Sequence, residues 1–222
     1  MSEKQKGILV VVSGFSGVGK GTIMKKLLEE HRDDYALSVS ATTRSPRAGE
    51  IHGKSYFFVS KEKFEDMIEK DELIEYAQYV GNYYGTPKEY VFNQLNDGKS
   101  VILEIEIQGA LKIKEQFKDT KLLFITAPSA KELKSRLENR GTETEDVISF
   151  RMNRAVEEAE EIEKYDYLVC NRNVEEAVSK VHTIIQNCRF NNLDEIKQDL
   201  IINNTEYINQ MRSELKDFSK GE

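Results

Sequence analysis

The stretch GFSGVGKGT, Gly14 to Thr22, follows the apolar run ILVVVS at 8–13 and leads into KGTIMKKLLEEH at 20–31. A short continuous apolar run reads as a buried strand, and the segment after the loop carries apolar residues at helical spacing. Strand, glycine loop and helix form the context in which G-x-x-x-x-G-K-[ST] has physical meaning. Glycines let the backbone wrap closely round a phosphate and take positive φ. Successive N–H groups and the helix N-terminus then face the anion, and the lysine adds a point charge. Gly14, Gly19 and Lys20 fall in place, but Gly21 stands where the hydroxyl should be, which arrives one position late at Thr22.

Two other readings compete. A glycine-rich turn with an incidental lysine leaves the strand–loop–helix context without a purpose. A dinucleotide fingerprint built on Gly14, Gly17 and Gly19 would use Asp33 or Asp34 as the ribose acid. That acid should end the second strand, whereas RDD at 32–34 precedes the strand-like LSVSAT, and Lys20 would have no duty. The phosphate-binding loop is the stronger reading.

Outward from the loop, strand-like runs recur at LSVSAT, SYFFVS, LIEYAQYV, SVILEIEI, KLLFITA and DYLVC. Helical patterns include SKEKFEDMIEK and SAKELKSRLENR. The alternation predicts an α/β fold around a parallel sheet flanked by helices. Residues 38–91 differ, with closely spaced strands, tyrosines, and turn signals at GEIHG and VGNYYGTP, and read as a β-rich insertion. Residues 129–164 read as a polar helical insertion, leaving 7–37, 92–128 and 165–190 as the core. In the tail, 191–222, Leu193, Ile196, Leu200 and Ile201, then Tyr207, Ile208, Met211 and Leu215, recur at helical spacing. The expectation is one or two helices packed on the core surface or fraying at the end.

The 222 residues contain 39% hydrophobic and 32% charged residues, which suits a soluble globular chain. A formal charge of −7 argues against general binding to nucleic acid or anionic membranes. No apolar run approaches a bilayer span and the N-terminus lacks a secretory h-region, so a cytoplasmic location is expected. Cys170 and Cys188 are too few for a disulfide framework and lack metal-ligand spacing.

Beyond the loop come SVSATTRSPRAGEIHGKSYFFVS, LIEYAQYVGNYYGTP, LEIEIQGA and RLENRGTETED. Their order and spacing resemble the guanylate kinases, from Gly7 to about Phe190. What the resemblance implies is a P-loop fold with an inserted GMP-binding domain at 38–91, a lid at 129–164, and ATP-dependent phosphorylation of GMP, and of dGMP, in purine nucleotide recycling. Carried over by motif, Arg44, Arg47, Tyr56 and Tyr84 would hold the GMP phosphate. Guanidinium forks and phenols suit that duty. Glu75 would read the paired N1–H and 2-amino donors of guanine, with Ser40 and Thr86 near O6. Adenine lacks that donor pair and would leave a carboxylate unpaired.

The resemblance places ATP on Gly14, Phe15, Ser16, Gly17, Val18, Gly19, Lys20, Gly21 and Thr22, with lid arginines Arg136, Arg140 and Arg151 over the transferring group and Asn171 near adenine. Lys20, Arg44, Arg140 and Arg151 are the expected catalytic residues. Strand periodicity would set Glu104 and Glu106 on one face at the C-terminal end of a core strand. From there they would orient magnesium-bound water or contact guanine. Magnesium is expected on ATP oxygens and water with no direct protein ligand, Glu104 standing behind the water. The sequence departs from the common family pattern at Glu106, Phe150 and Arg172. A homodimer stays open, as do a scaffold domain that has lost catalysis and a kinase for another nucleoside monophosphate. The retained GKGT loop disfavours the scaffold.

Overall fold

The computed structural model describes residues 5–79, 81–139 and 144–219. Strand β1, Leu9–Gly14, lies at the centre of a five-stranded sheet. Its neighbours are β7, Ser100–Glu104, and β8, Lys121–Thr126, with β2, Tyr35–Leu37, beyond β7 and β9, Tyr167–Cys170, beyond β8. All four pairings are parallel, Val11 standing opposite Leu103 and Leu122. A parallel strand covered on both faces needs apolar residues at every position, not at alternate ones. Val10, Val11 and Val12 are fully buried, which is why ILVVVS is an unbroken run. Each such side chain contributes roughly 1.5–3 kcal/mol by leaving water.

The helices covering this sheet include α1, Lys20–Glu30, α3, Lys88–Asn96, and α4, Ile107–Gln116. On the same core pack α5, Ala130–Glu138, α6, Glu145–Glu160, and α7, Val174–Phe190. Because the connection from β1 to β2 runs to one side of β1 and the crossover from β7 to β8 runs to the other, a crevice opens beyond the carboxyl ends of β1, β7 and β8. The glycine loop lies at that crevice.

The β-rich insertion forms a second sheet in the order β4-β3-β6-β5. Its strands are β3, Ala41–Thr42, β4, Phe57–Phe58, β5, Leu73–Tyr79, and β6, Asn82–Pro87. Helix α2, Lys61–Glu69, covers it through Phe64 and Met67, capped by the Ser60 hydroxyl. The run LSVSAT is therefore not one strand. Its first residue ends β2 in the main sheet and its last two form β3, so residues 38–40 carry the chain between sheets. SYFFVS contributes only two strand residues, and α3 and α4 fill the gaps between strand-like runs where the alternation calls for helices.

The tail forms a packed helix in its second part, as read, but its first part departs from the helical spacing. Residues 193–204 form 3-10 turns broken at Ile196 and at Leu200, which is extended because it bridges Tyr167 on the open edge of β9. Only then does α8, Thr205–Ser219, begin. Among the described residues, no helix is long and apolar enough to cross a membrane.

Candidate active site

The loop between β1 and α1 is built by close approach. A Cβ on Gly14, at φ +153°, would lie 2.1 Å from the Ile125 carbonyl oxygen. Gly19 precedes α1 in the left-handed region at φ +94°. Phe15 and Val18 are fully buried and pin the loop from below. Lys20 Nζ donates to the carbonyls of Gly14, at 2.5 Å, and Phe15, at 3.1 Å, so the ammonium lies across the loop. A Cβ on Gly21 would meet no atom within 4 Å, and Thr22 is exposed beside it. The head of α1 thus offers open space for an anion.

Two further elements hold the loop in place. Arg136 on α5 donates to the carbonyls of Val18 and Asn171 while pairing with Glu132. Asn171, just after β9 and buried, donates from Nδ2 to the Val18 carbonyl at 2.7 Å. Its Oδ1 is also buried and has no hydrogen-bond partner among the described residues. Gly17, Gly19, Thr22, Arg136, Asn171 and Arg172 border a cavity of about 510 Å³ at this point. From α6, Arg151 reaches the Ser16 hydroxyl at 2.5 Å. Arg140 lies outside the described residues, and Phe150 points to solvent.

The carboxylates near Lys20 do not share one strand face. Strand β7 ends at Glu104, and Glu106 caps the start of α4, its exposed side chain 3.8 Å from Arg154. Periodicity of two cannot extend past the last strand residue. Burial raises the Glu104 carboxyl above its ordinary range, with Lys20 opposing. Glu158 on α6, absent from the sequence reading, is pushed up to about 7, again by burial against the pull of Lys20 and Arg154. The signal for it was on the page: Arg151, Arg154 and Glu158 follow at helical spacing on one face.

In the second sheet, Arg44, Tyr56 and Tyr84 come together. The Arg44 guanidinium lies 5.4 Å from the Tyr56 ring centre, and the Tyr56 and Tyr84 rings are 6.1 Å apart. Arg44 is held in a two-point ion pair by Glu50, at 2.7 and 3.0 Å, and the same carboxylate accepts the Arg47 backbone N–H. The Arg44 hydrogen bonds hold the Glu50 carboxyl below its usual range. Glu50 was missed, since nothing in RSPRAGE marks a pair six residues apart. The Arg47 side chain points outward.

Glu75 sits where the β5–β6 register slips between Leu73 and Tyr76, a bulge that re-aims its side chain. Its Oε1 accepts from the buried Thr86 hydroxyl at 2.8 Å. Burial raises its pKa, with Thr86 and Lys112 opposing. Ser40 lies on the link between sheets, its carbonyl accepting from Phe57 N–H.

The guanylate kinase family model matches residues 6–188. A guanylate kinase of Halalkalibacterium halodurans is 52% identical over 201 residues, 90% of this chain and 98% of that protein. One from Bacillus subtilis is 48% identical over 182 residues, 82% and 89% of the two chains. The crystal structure of guanylate kinase from Anaplasma phagocytophilum superimposes with a TM-score of 0.62 at 32% identity, covering 84% of this chain and 90% of that one. A phosphate loop, a second sheet holding clustered arginine and tyrosines, and identities near one half over most of the length agree: the chain belongs to the guanylate kinase family.

Proposed function

We propose that the two halves of the site meet across the crevice to move a phosphoryl group directly from ATP to GMP. The chain is a guanylate kinase, converting ATP and GMP to ADP and GDP. The attacking atom is a GMP phosphate oxygen, already anionic at neutral pH, so no general base is needed. Alignment of the two phosphates and positive charge around the transferring group then carry the rate.

The loop amides from Gly14 to Thr22 and the head of α1 receive the ATP phosphates, and Lys20 swings from its two carbonyls onto them. Arg136 and Arg151 bring charge from α5 and α6, joined by Arg140. The orphan Oδ1 of Asn171 faces the need of adenine for an acceptor at its amino group. Arg44, Arg47, Tyr56 and Tyr84 take the GMP phosphate. Glu75, with Thr86 and Ser40, takes the guanine edge, and Glu106, at the head of α4, is the further residue assigned to GMP. dGMP offers the same base and phosphate and serves as a second acceptor.

Among the described residues, no three His, Cys, Asp or Glu side chains converge on one point. A magnesium ion would be carried by ATP oxygens and water, the coordination that ion commonly prefers, and Glu104 at the end of β7 would stand behind one of those waters. When bound, the ion neutralises phosphate charge. Closure of both insertions excludes the water that would otherwise hydrolyse ATP.

The observation that carries this reading is the pairing, in one chain, of a GKGT loop with a second sheet that presents Arg44 between two tyrosines. Purified protein with ATP and magnesium should release ADP when GMP or dGMP is supplied and far less with AMP or UMP. No GMP-dependent turnover would sink it.

A further inference from the structure

Helix α8 lies beyond the stretch that the family model covers, and it touches both ends of the lid at once. The lid leaves the core after β8 through α5 and returns to it at the end of α6. At the first end, the Glu214 carboxylate accepts the Ala130 N–H at 2.9 Å. That donor is one of the four an α-helix leaves unsatisfied at its N-terminus, where negative charge is also favoured. The Tyr207 hydroxyl donates to the Ala127 carbonyl, three residues earlier.

At the second end, Arg212 donates from Nε to the Ala159 carbonyl at 2.9 Å and from Nη2 to the Glu160 carbonyl at 3.3 Å. These are the orphan acceptors at the close of α6, where a cation is favoured. Nη1 also pairs with Glu163 at 2.7 Å, and Lys216 pairs with Glu160 at 2.8 Å. Only 15% of the Arg212 side chain is exposed, so these bonds are shielded. Between the two ends, Ile208, Met211 and Leu215 are buried.

We propose that α8 is a strap across both hinges of the lid, with Arg212 and Glu214 as positioning residues for phosphoryl transfer. The proposal rests on the reading of Arg136 and Arg151 as lid arginines. The physical link is leverage. Helix α6 carries Arg151 eight and nine residues from the two carbonyls that Arg212 holds, about 12–14 Å along a stiff helix. Helix α5 carries Arg136 less than two turns from the amide that Glu214 holds. A hinge that slips by an ångström moves the arginines by a similar distance, and such a misplacement alone can lower a rate by up to about 100-fold. The GMP-binding residues lie on the other sheet and have no contact with the strap among the bonds described.

The test uses full-length protein carrying Arg212→Ala with Glu214→Ala, and each change singly. In the double variant kcat should fall about tenfold, with KM for GMP within a factor of two. ATP hydrolysis without GMP should change relative to transfer, and amide exchange should quicken in 130–138 and 145–160. Glu214→Gln, which keeps an acceptor oxygen for Ala130, should recover most of the rate. Loss of stability with kcat and the hydrolysis ratio unchanged would overturn the strap and leave α8 a passive brace. If the double variant does not fold, the decision falls to Glu214→Gln against Glu214→Ala: equal kcat values overturn the proposal. Arg151→Ala is measured alongside. If it keeps full activity, the lid reading itself fails; if it is impaired while the strap variants are not, only the strap fails.

Discussion

The proposed ATP half and GMP half of this site are built to bind anions by different means. On the ATP side the seat is backbone: glycine amides, the head of α1, and Lys20 folded over two carbonyls. On the GMP side it is side chains that already satisfy one another. Glu50 occupies the Arg44 fork and Thr86 occupies Glu75. A loop of amides accepts any phosphate of suitable shape. Pre-paired side chains accept only a ligand that offers a better partner than the one it displaces. Generality at one end and discrimination at the other suit a kinase with a common donor and a chosen acceptor.

The largest effect should come from the backbone seat. Lys20→Ala removes the ammonium from the loop while sparing the amides. It should lower kcat by about 1000-fold, the scale of losing a preorganised charge partner in the transition state. KM for GMP should move little. Steady-state rates over a GMP series would show this, and a loss confined to GMP affinity would break the division of the halves.

Next comes the acceptor reader. Glu75→Gln replaces one of two acceptors with a donor that faces the guanine donors. It should cut kcat/KM for GMP by about 100-fold, with ATP binding intact by titration calorimetry. An unchanged kcat/KM would show that Glu75 does not read the base.

These halves were not equally legible. The geometry of the glycine loop was readable because it is local: nine consecutive residues between a strand and a helix set it. The parallel sheet was legible for the same reason, as burial on both faces writes itself into ILVVVS and KLLFITA. The GMP half depends on pairings between distant residues, and its roles came from resemblance to a family. Spacing alone showed neither the bulge that turns Glu75 toward Thr86 nor the Glu50 clamp on Arg44. Periodicity misled at Glu106, where a strand pattern ran past the strand into a helix cap. It misled again at 193–201, where pairing of Leu200 with the β9 edge outweighed helical spacing.

A smaller effect would sharpen the contrast at Glu50. If the clamp chiefly preorganises Arg44, Glu50→Ala should raise KM for GMP about fivefold, since binding must then order the fork, with a lesser change in kcat. A lower KM would mean that Glu50 competes with the GMP phosphate for the Arg44 fork, and preorganisation by the clamp would be ruled out.

The smallest effect concerns a group that belongs to the ATP half yet behaves like the other one. Glu158 is a side chain whose burial outweighs its attraction to Lys20 and Arg154, with Glu106 and Glu157 adding repulsion, so its pKa rises from near 4.5 to about 7. Below about pH 4.5 the carboxyl is protonated in folded and unfolded chains alike. Between there and about pH 7 only the folded chain keeps the proton, so this group's support for folding is lost as pH rises, and above 7 the loss is complete. Glu158→Gln removes that dependence. The variant should gain about 2 kcal/mol at pH 8, after discounting for partial exposure, and gain little at pH 5. Thermal melts at the two pH values measure the difference. An equal offset at both would mean that the attraction to Lys20 and Arg154 offsets the desolvation of the carboxylate, leaving Glu158 no net preference for its proton in the folded chain.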